Sequence, residues 1–239
     1  MALQPWRKGI IKAIIQETND TNRYFIEIPE LEVFDFLPGQ FVTLDLPIHE
    51  KSNKRWRSYS IASSPNGTNS IELLIVLNPN GLGTNYIFKE WKIGSEVVLR
   101  GPQGVFTLQQ PIDKKLFLIC TGTGIAPFRS MINYIESAKV PHQEIVLVYG
   151  CRKRENLLYF DELTALDNEK QAFSYIPTLS RESWEGKTGY VHNVYEELCM
   201  NRPDAQFYLC GWKDMIDEAK QRILAMGYDK KDIHLEIYG

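Results

Sequence analysis

The hydrophobic positions of this chain follow two regimes. Up to about residue 108 they form short alternating segments, at 10–15, 24–28, 41–46, 58–62, 71–77 and 97–99. Turn residues such as Pro38-Gly39, Pro47, Asn66-Gly67 and Gly94 separate them. A period of two buries one face of a strand and leaves the other in water, and short strands broken this often predict a small antiparallel barrel or sandwich. One segment departs from the pattern. Residues 84–91 follow Gly81-Leu82-Gly83 and carry apolar side chains at 87, 88 and 91, which predicts a short helix capped by Thr84.

From Lys114 onward, apolar runs at 116–120, 145–149, 173–179, 207–210 and 233–238 alternate with amphipathic stretches at 127–138, 159–166, 193–198 and 213–226. Continuously apolar strands alternating with helices predict a parallel sheet covered on both faces. The expected fold is therefore α+β in two domains. An antiparallel β-barrel spans 1–110, and an α/β domain with a five-stranded parallel sheet spans 111–239, the polar stretch 109–113 marking the boundary. No internal repeat or low-complexity tract interrupts either half.

Composition narrows the classes without naming one. Of 239 residues, 44% are hydrophobic and 24% charged, enough apolar surface for two packed cores and too much for a disordered chain. The net charge of -3 gives no global attraction to nucleic acid or an anionic membrane. Cys120, Cys151, Cys199 and Cys210 form no CxxC pair, which speaks against a zinc site or a disulfide scaffold and for the cytoplasm. No apolar run approaches the ~18 residues of a membrane span, and the start Met-Ala-Leu-Gln-Pro-Trp-Arg-Lys lacks the core of a signal peptide. His49, His142, His192 and His234 show no metal-ligand spacing, so no metal is expected. Neither a Gly-x-Ser-x-Gly elbow nor an HExxH pair is present.

The chemistry concentrates at strand ends. The first strand of the second half runs into Gly122-Thr123-Gly124-Ile125-Ala126-Pro127 and then a helical pattern at Phe128, Met131, Ile132 and Ile135. Glycines there let the backbone approach a pyrophosphate, and a helix N-terminus attracts anions; an ordinary tight turn is the alternative. Where an NAD site usually places an acid, the second strand ends in Gly150-Cys151-Arg152-Lys153-Arg154, and the third is followed by Ser180-Arg181-Glu182. Arg152, Ser180 and Arg181 suit a 2′-phosphate, unless they are solvated loop charges. The next-to-last strand ends at Cys210-Gly211-Trp212, on the side of the sheet where ligands bind; a buried structural cysteine is the alternative.

In the first half, Arg57-Ser58-Tyr59-Ser60 puts Arg57 and Tyr59 on one strand face and Ser58 and Ser60 on the other. Arginine can pair with a phosphate, tyrosine can stack on a planar ring and serine can donate to a ring nitrogen. With Gly83-Thr84-Asn85 at a helix start, a second phosphate-bearing cofactor is expected.

Taken together, RSYS at 57–60, GLGT at 81–84, GPQGVF at 101–106, GTGIAP at 122–127, the stretch 150–163 with GCR and LLYFDEL, SRESWEGKTGYV at 180–191 and CGWKDM at 210–215 resemble the ferredoxin–NADP reductase superfamily in its usual motif order. The resemblance covers nearly the whole chain. It implies an FAD-binding barrel followed by an NADP-binding domain, with hydride passing from nicotinamide to flavin in the cleft between them. It assigns Arg57 to the FAD pyrophosphate, Tyr59 to the isoalloxazine, Ser60 to its N5, and Gly83 and Thr84 to phosphate, with Ser58 and Asn85 alongside. Residues 122–127 would cradle the NADP pyrophosphate, Arg152, Ser180 and Arg181 the 2′-phosphate, and Cys210, with Gly211 and Met215, the nicotinamide end. The tail Leu235-Glu236-Ile237-Tyr238-Gly239 resembles members ending in Glu-x-Tyr, with Tyr238 over the flavin and Glu236 relaying protons or orienting the ring.

The cysteine spacing supplies no Cys-x₄-Cys-x₂-Cys run for a plant-type [2Fe–2S] cluster, which predicts a stand-alone NADPH-dependent reductase serving a separate carrier: a ferredoxin, a flavodoxin or an oxygenase component. Lys51, Lys54, Arg55 and Arg57 could steer an acidic carrier. Two alternatives stand beside it: an NADH-dependent oxygenase or flavin reductase, and a flavin-binding electron-relay subunit of a larger complex.

Overall fold

The computed structural model describes residues 4–238; Met1–Leu3 and the Gly239 that follows the tail tyrosine lie outside the described residues. The chain divides into two compact units. One runs up to Leu108 and includes Ala126–Lys139; the other comprises Gln109–Ile125 and the chain from Val140 onward.

The first unit is built on six strands, β1 (Trp6–Gln16), β2 (Thr21–Glu27), β3 (Phe41–Asp45), β4 (Trp56–Ser60), β5 (Ser70–Val76) and β6 (Glu96–Gln103). They are paired antiparallel in the order β4-β3-β6-β1-β2-β5. Ile61 bridges Leu73, and the Ala62 N–H donates to Glu72 O at 2.8 Å. Those contacts join the two outermost strands and close the sheet. Alternate residues fill the interior, among them Val42 and Leu44 of β3, Ile71, Leu73 and Ile75 of β5, and Val97 and Leu99 of β6. The period-two reading of this half corresponds to these strands.

Helix α1 spans Leu82–Glu90, with Gly81 as its N-cap and no side-chain cap bond. The sequence expectation of a helix starting at a Thr84 cap is corrected accordingly. The Thr84 hydroxyl is used elsewhere, donating to Asn78 O at 3.2 Å and accepting from Asn78 N–H at 3.0 Å. Asn85 Nδ2 donates to the Asn78, Pro79 and Gly81 carbonyls at 2.8–3.0 Å. Side chains thus brace the preceding loop, while the first-turn N–H groups of α1 have no intrahelical acceptors.

The second unit is a parallel sheet of β7 (Lys115–Thr121), β8 (Ile145–Cys151), β9 (Phe173–Leu179), β10 (Lys187–Thr188), β11 (Ala205–Trp212) and β12 (Ile233–Tyr238), in the order β10-β9-β8-β7-β11-β12. Six strands replace the expected five. The addition, β10, is two exposed polar residues paired with Thr178 and Leu179, too short and too hydrophilic for an apolar run to reveal. Helices α3 (Phe160–Glu169), α4 (Val191–Leu198) and α5 (Lys213–Ala225) belong to this unit. Phe117, Ile119, Val146, Val148, Phe207 and Leu209 bury one sheet face against Val194, Tyr195, Ile216 and Ile223. Because β8 and β11 flank β7 on opposite sides, strand order reverses at the end of β7, where ligands bind in open α/β sheets.

Helix α2 (Ile125–Ala138) begins directly after the Gly122–Gly124 turn, yet from Ala126 onward it belongs to the barrel unit. Phe128 packs on Phe106 with ring centroids 6.0 Å apart, and Met131 lies against Gly39. Among the described residues no helix is long and apolar enough to cross a membrane, and no cluster of three His, Cys, Asp or Glu could hold a metal.

Candidate functional site

In β4, Arg57 and Tyr59 stand opposite Leu44 and Val42 of β3, and Ser58 stands opposite Thr43. The fold brings Arg57 beside Gly83, in the first turn of α1. A Cβ at Gly83 would lie 3.1 Å from Arg57 Cγ, 3.2 Å from its Nε and 3.3 Å from Leu46 Cδ1, so a side chain there would push on the guanidinium. Arg57 Nη1 donates to Trp56 O at 2.7 Å and Lys54 O at 3.1 Å, which fixes the guanidinium beside the open N–H groups of α1. A cation over a helix N-terminus, with glycine giving close approach, fits a phosphate.

Tyr59 is half-buried against the barrel core. Burial pushes its phenol up to about 12, partly offset by the Arg57 charge and reinforced by Tyr24, so it stays neutral and available as a stacking surface. Ser60 is buried, whereas Ser58 on the same face is exposed with its Oγ 3.2 Å from Thr43 Oγ1, which donates to Gln103 Oε1 at 3.1 Å. Of the basic group named for carrier steering, Lys51 and Lys54 are exposed, while Arg55 is paired with Asp45 at 2.7 Å.

The glycine turn after β7 holds two glycines for two reasons. Gly122 has φ +54° with open space around its Cβ position. Gly124 has none: a Cβ would lie 2.4 Å from Cys210 O and 2.7 Å from Cys210 C. Gly211 returns the constraint, its Cβ position being 2.5 Å from Thr121 Oγ1 and 3.2 Å from Met215 Cε. The ends of β7 and β11 are therefore nested backbone to backbone. The buried Thr121 hydroxyl has no hydrogen-bond partner among the described residues, and an unmet donor beside a glycine turn fits an incoming polar ligand. Thr123 lies within the turn, and Ala126 and Pro127 are buried in the first turn of α2.

At the ends of β8 and β9, Ser180 N–H donates to Cys151 O and Arg181 N–H to Arg152 O, each at 3.0 Å, and Ser180 Oγ donates to Cys151 O at 3.3 Å. Arg152, Ser180 and Arg181 are thereby brought together. A cavity of about 630 Å³ opens here, lined by Lys153, Arg154, Glu155, Arg181 and Glu182. Its carboxylates are what sequence reasoning missed. Glu182 Oε2 accepts from Arg154 N–H at 3.0 Å, and Glu185 pairs with the Arg154 guanidinium at 3.0 Å. The only sequence signal was acids interleaved among the basic residues at 152–155 and 181–185.

Cys210 pairs in register with Cys120 of β7 and Glu236 of β12, while Trp212 pairs with Tyr238. Cys210, Glu236 and Tyr238 thus gather where the two strands end. Cys210 is fully buried. Burial holds its thiol well above the ordinary range, Glu236 and Cys120 add to this, and the Tyr238 hydroxyl beside it pulls the other way. The sulfur is a neutral, polarisable packing surface at neutral pH and not a thiolate nucleophile.

Comparisons with known proteins match two family models, the second of which takes in residues 126–139 that pack with the barrel unit. Residues 8–108 match the family model of an oxidoreductase FAD-binding domain, and residues 118–221 that of an oxidoreductase NAD-binding domain. The chain is 35% identical over 189 residues to the anthranilate 1,2-dioxygenase electron transfer component of Acinetobacter baylyi, covering 78% of this chain and 53% of that protein. It is 31% identical to ferredoxin–NADP reductase B of Sorangium cellulosum, covering 87% of each. Among solved structures, the ferredoxin NADP+ reductase of Neisseria gonorrhoeae with bound FAD and NADP superimposes with a TM-score of 0.82 at 25% identity, over 97% of this chain and 98% of that one. The chain spans between 53% and 66% of the length of the oxygenase electron-transfer relatives it matches. With an FAD-binding barrel and an NAD-binding parallel sheet in this order, the chain belongs to the ferredoxin–NADP reductase superfamily of oxidoreductases.

Proposed function

We propose that this chain is the reductase of an oxygenase system, taking electrons from NADH and delivering them to a separate redox protein. The observation that carries the reading is the 35% identity to an oxygenase electron-transfer component, set beside a cavity whose cations alternate with Glu155 and Glu182. Carboxylates oppose a phosphate dianion but accept from ribose hydroxyls. That favours NADH over the NADPH expected from the sequence.

A flavin bound on the barrel supplies the chemistry, accepting two electrons at once and giving them up singly. The chain's residues position and insulate. Arg57 and the first turn of α1 hold the cofactor's phosphates. Tyr59 offers a neutral ring face, and Ser60 a hydroxyl at the end of the same strand. Residues Gly122–Gly124 take the dinucleotide pyrophosphate, with the Thr121 hydroxyl as a further donor. Glu236 and Tyr238 meet the nicotinamide end, and the buried Cys210 supports them from behind by shape and polarisability. Lys51 and Lys54 meet an acidic carrier.

A second reading, a ferredoxin–NADP reductase using NADPH, is favoured by Arg152 and Arg181 lying side by side and by the Sorangium relative. Anaerobic titration of the purified protein with each coenzyme, following flavin bleaching, tests both. Bleaching by NADH at much lower concentration supports the oxygenase reductase. The reverse order supports the second reading, and a protein that neither contains nor takes up FAD rejects both.

A further inference from the structure

Beyond Ser60 the chain leaves β4 through Ile61, Ala62 and Ser63, and every one of these residues is tied. Ile61 bridges Leu73, Ala62 N–H donates to Glu72 O at 2.8 Å, and Glu72 N–H donates to Ser63 Oγ at 3.0 Å. The two carbonyls of the exit are taken by α2. Arg129 Nη1 donates to Ala62 O at 3.0 Å, and Ser130 Oγ donates to Ser63 O at 2.7 Å. The same Arg129 nitrogen donates to Glu72 Oε2 at 2.9 Å, and Arg23 Nε donates to Glu72 Oε1 at 2.7 Å. Glu72 is 2% exposed, Arg129 9% and Ser130 0%.

Burying an arginine and a carboxylate, with a second arginine half-buried beside them, is an expensive way to pin a helix, because desolvation offsets much of the attraction between the charges. What such a network adds is direction: the bonds hold only at one position of α2 relative to the β4 exit. That helix opens at Ile125, immediately after the Gly122–Gly124 turn. Arg129 and Ser130 stand about one turn inside it, so a displacement of the first turn is carried to the Ala62 and Ser63 carbonyls with little loss.

We propose that Arg129 and Ser130 are positioning residues that relay occupancy of the glycine turn to the end of the flavin strand. A nucleoside diphosphate seated at Gly122–Gly124 resets the main chain at Ala62–Ser63, and with it the Ser60 hydroxyl two residues earlier. The proposal rests on the cofactor assignments made above. Its thermodynamic form is reciprocal: the dinucleotide alters the flavin's surroundings, and the flavin alters dinucleotide affinity by the same factor.

The test uses the FAD-loaded protein and ADP-ribose, which carries the pyrophosphate but no nicotinamide ring and so cannot stack on the flavin. ADP-ribose is expected to shift the flavin absorption band of the wild type. Arg129→Met is expected to cut the amplitude of that shift at least fivefold while ADP-ribose Kd stays within threefold, and Arg129→Lys to restore part of it. A purely structural arginine would lower Tm and leave the amplitude intact, and that result overturns the relay. If Arg129→Met does not fold with FAD, Ser130→Ala, which removes one hydroxyl, decides: a halved amplitude supports the relay and a full one overturns it. A wild type bleached by NADH but silent to ADP-ribose refutes the relay alone, whereas a wild type that neither binds FAD nor is bleached refutes the functional assignment.

Discussion

Replacing either glycine of the 122–124 turn by alanine should damage the protein, but through opposite routes. At Gly124 a Cβ would sit 2.4 Å from Cys210 O, roughly 1 Å short of ordinary contact at 3.4 Å, and the atoms it meets are main chain. Those atoms cannot swing aside, because Cys210 is held in register between Cys120 and Glu236. Overpacking of this kind costs about 1–3 kcal/mol, and at about 2–4 °C per kcal/mol for a chain of this size Gly124→Ala should lose several degrees of Tm. At Gly122 nothing lies within 4 Å of the Cβ position, and only the φ of +54° resists. A left-handed alanine costs about 1–2 kcal/mol, so the loss of Tm should be the smaller of the two. Its methyl, however, projects into the open space where a pyrophosphate would approach, and dinucleotide affinity should fall at least tenfold. Thermal unfolding of the FAD-loaded protein gives the first quantity and titration with ADP-ribose the second. A Gly124→Ala protein as stable as wild type, or a Gly122→Ala protein with unchanged Kd, would refute the reasoning.

Other outcomes follow from the same geometry. Arg57→Met should weaken FAD binding by about ten- to a hundredfold, the equivalent of one charge-assisted bond at about 1.5–3 kcal/mol, as read by flavin fluorescence on titrating apoprotein; an unchanged Kd would remove Arg57 from the phosphate site. Glu182→Gln should raise kcat/KM for NADPH relative to NADH, and Arg181→Ala should lower it. If both coenzymes respond equally, the cavity does not read the 2′ position. Because the folded barrel raises the Tyr59 phenol from 10.0 to about 12, its contribution to stability is complete below pH 10 and lost as pH climbs from 10 towards 12. Tyr59→Phe should flatten the alkaline unfolding curve over that interval, and superimposable curves would count against the buried phenol.

The strands of both units were readable because each regime of burial writes its own period: alternation at Val42 and Leu44, and unbroken apolar character from Leu116 to Cys120. The glycine turn was readable because its chemistry is local. Three features were not. Strand β10 is Lys187 and Thr188, polar residues paired only through the backbone, so no side-chain pattern encodes it. The apolar spacing of Phe128, Met131, Ile132 and Ile135 shows that one face of α2 is buried without showing against what; its grouping with the barrel depends on distant Phe106, Gly39 and Glu72. The cap of α1 was misplaced because Thr84 has the right chemistry for a cap, and only the loop at Asn78 reveals where its hydroxyl is spent. At the candidate site, the basic residues stood out while Glu182 and Glu185 had no role assigned from sequence; their bonds to Arg154 depend on the fold.

The barrel's dependence on α2 also bears on biosynthesis. The unit is discontinuous along the chain, so a nascent polypeptide that has emerged only to Leu108 carries all six barrel strands but not Arg129. In that state Glu72 keeps its ion pair with Arg23 and lacks the bond from Arg129. Phe106 likewise waits for Phe128. At translation rates of about 5–20 residues per second, the barrel spends a second or more exposed in this incomplete form before residues 126–139 arrive to finish it. Fragments ending at the last barrel strand are frozen at that stage, and an expression library cut there would select against the very domain it aims to isolate.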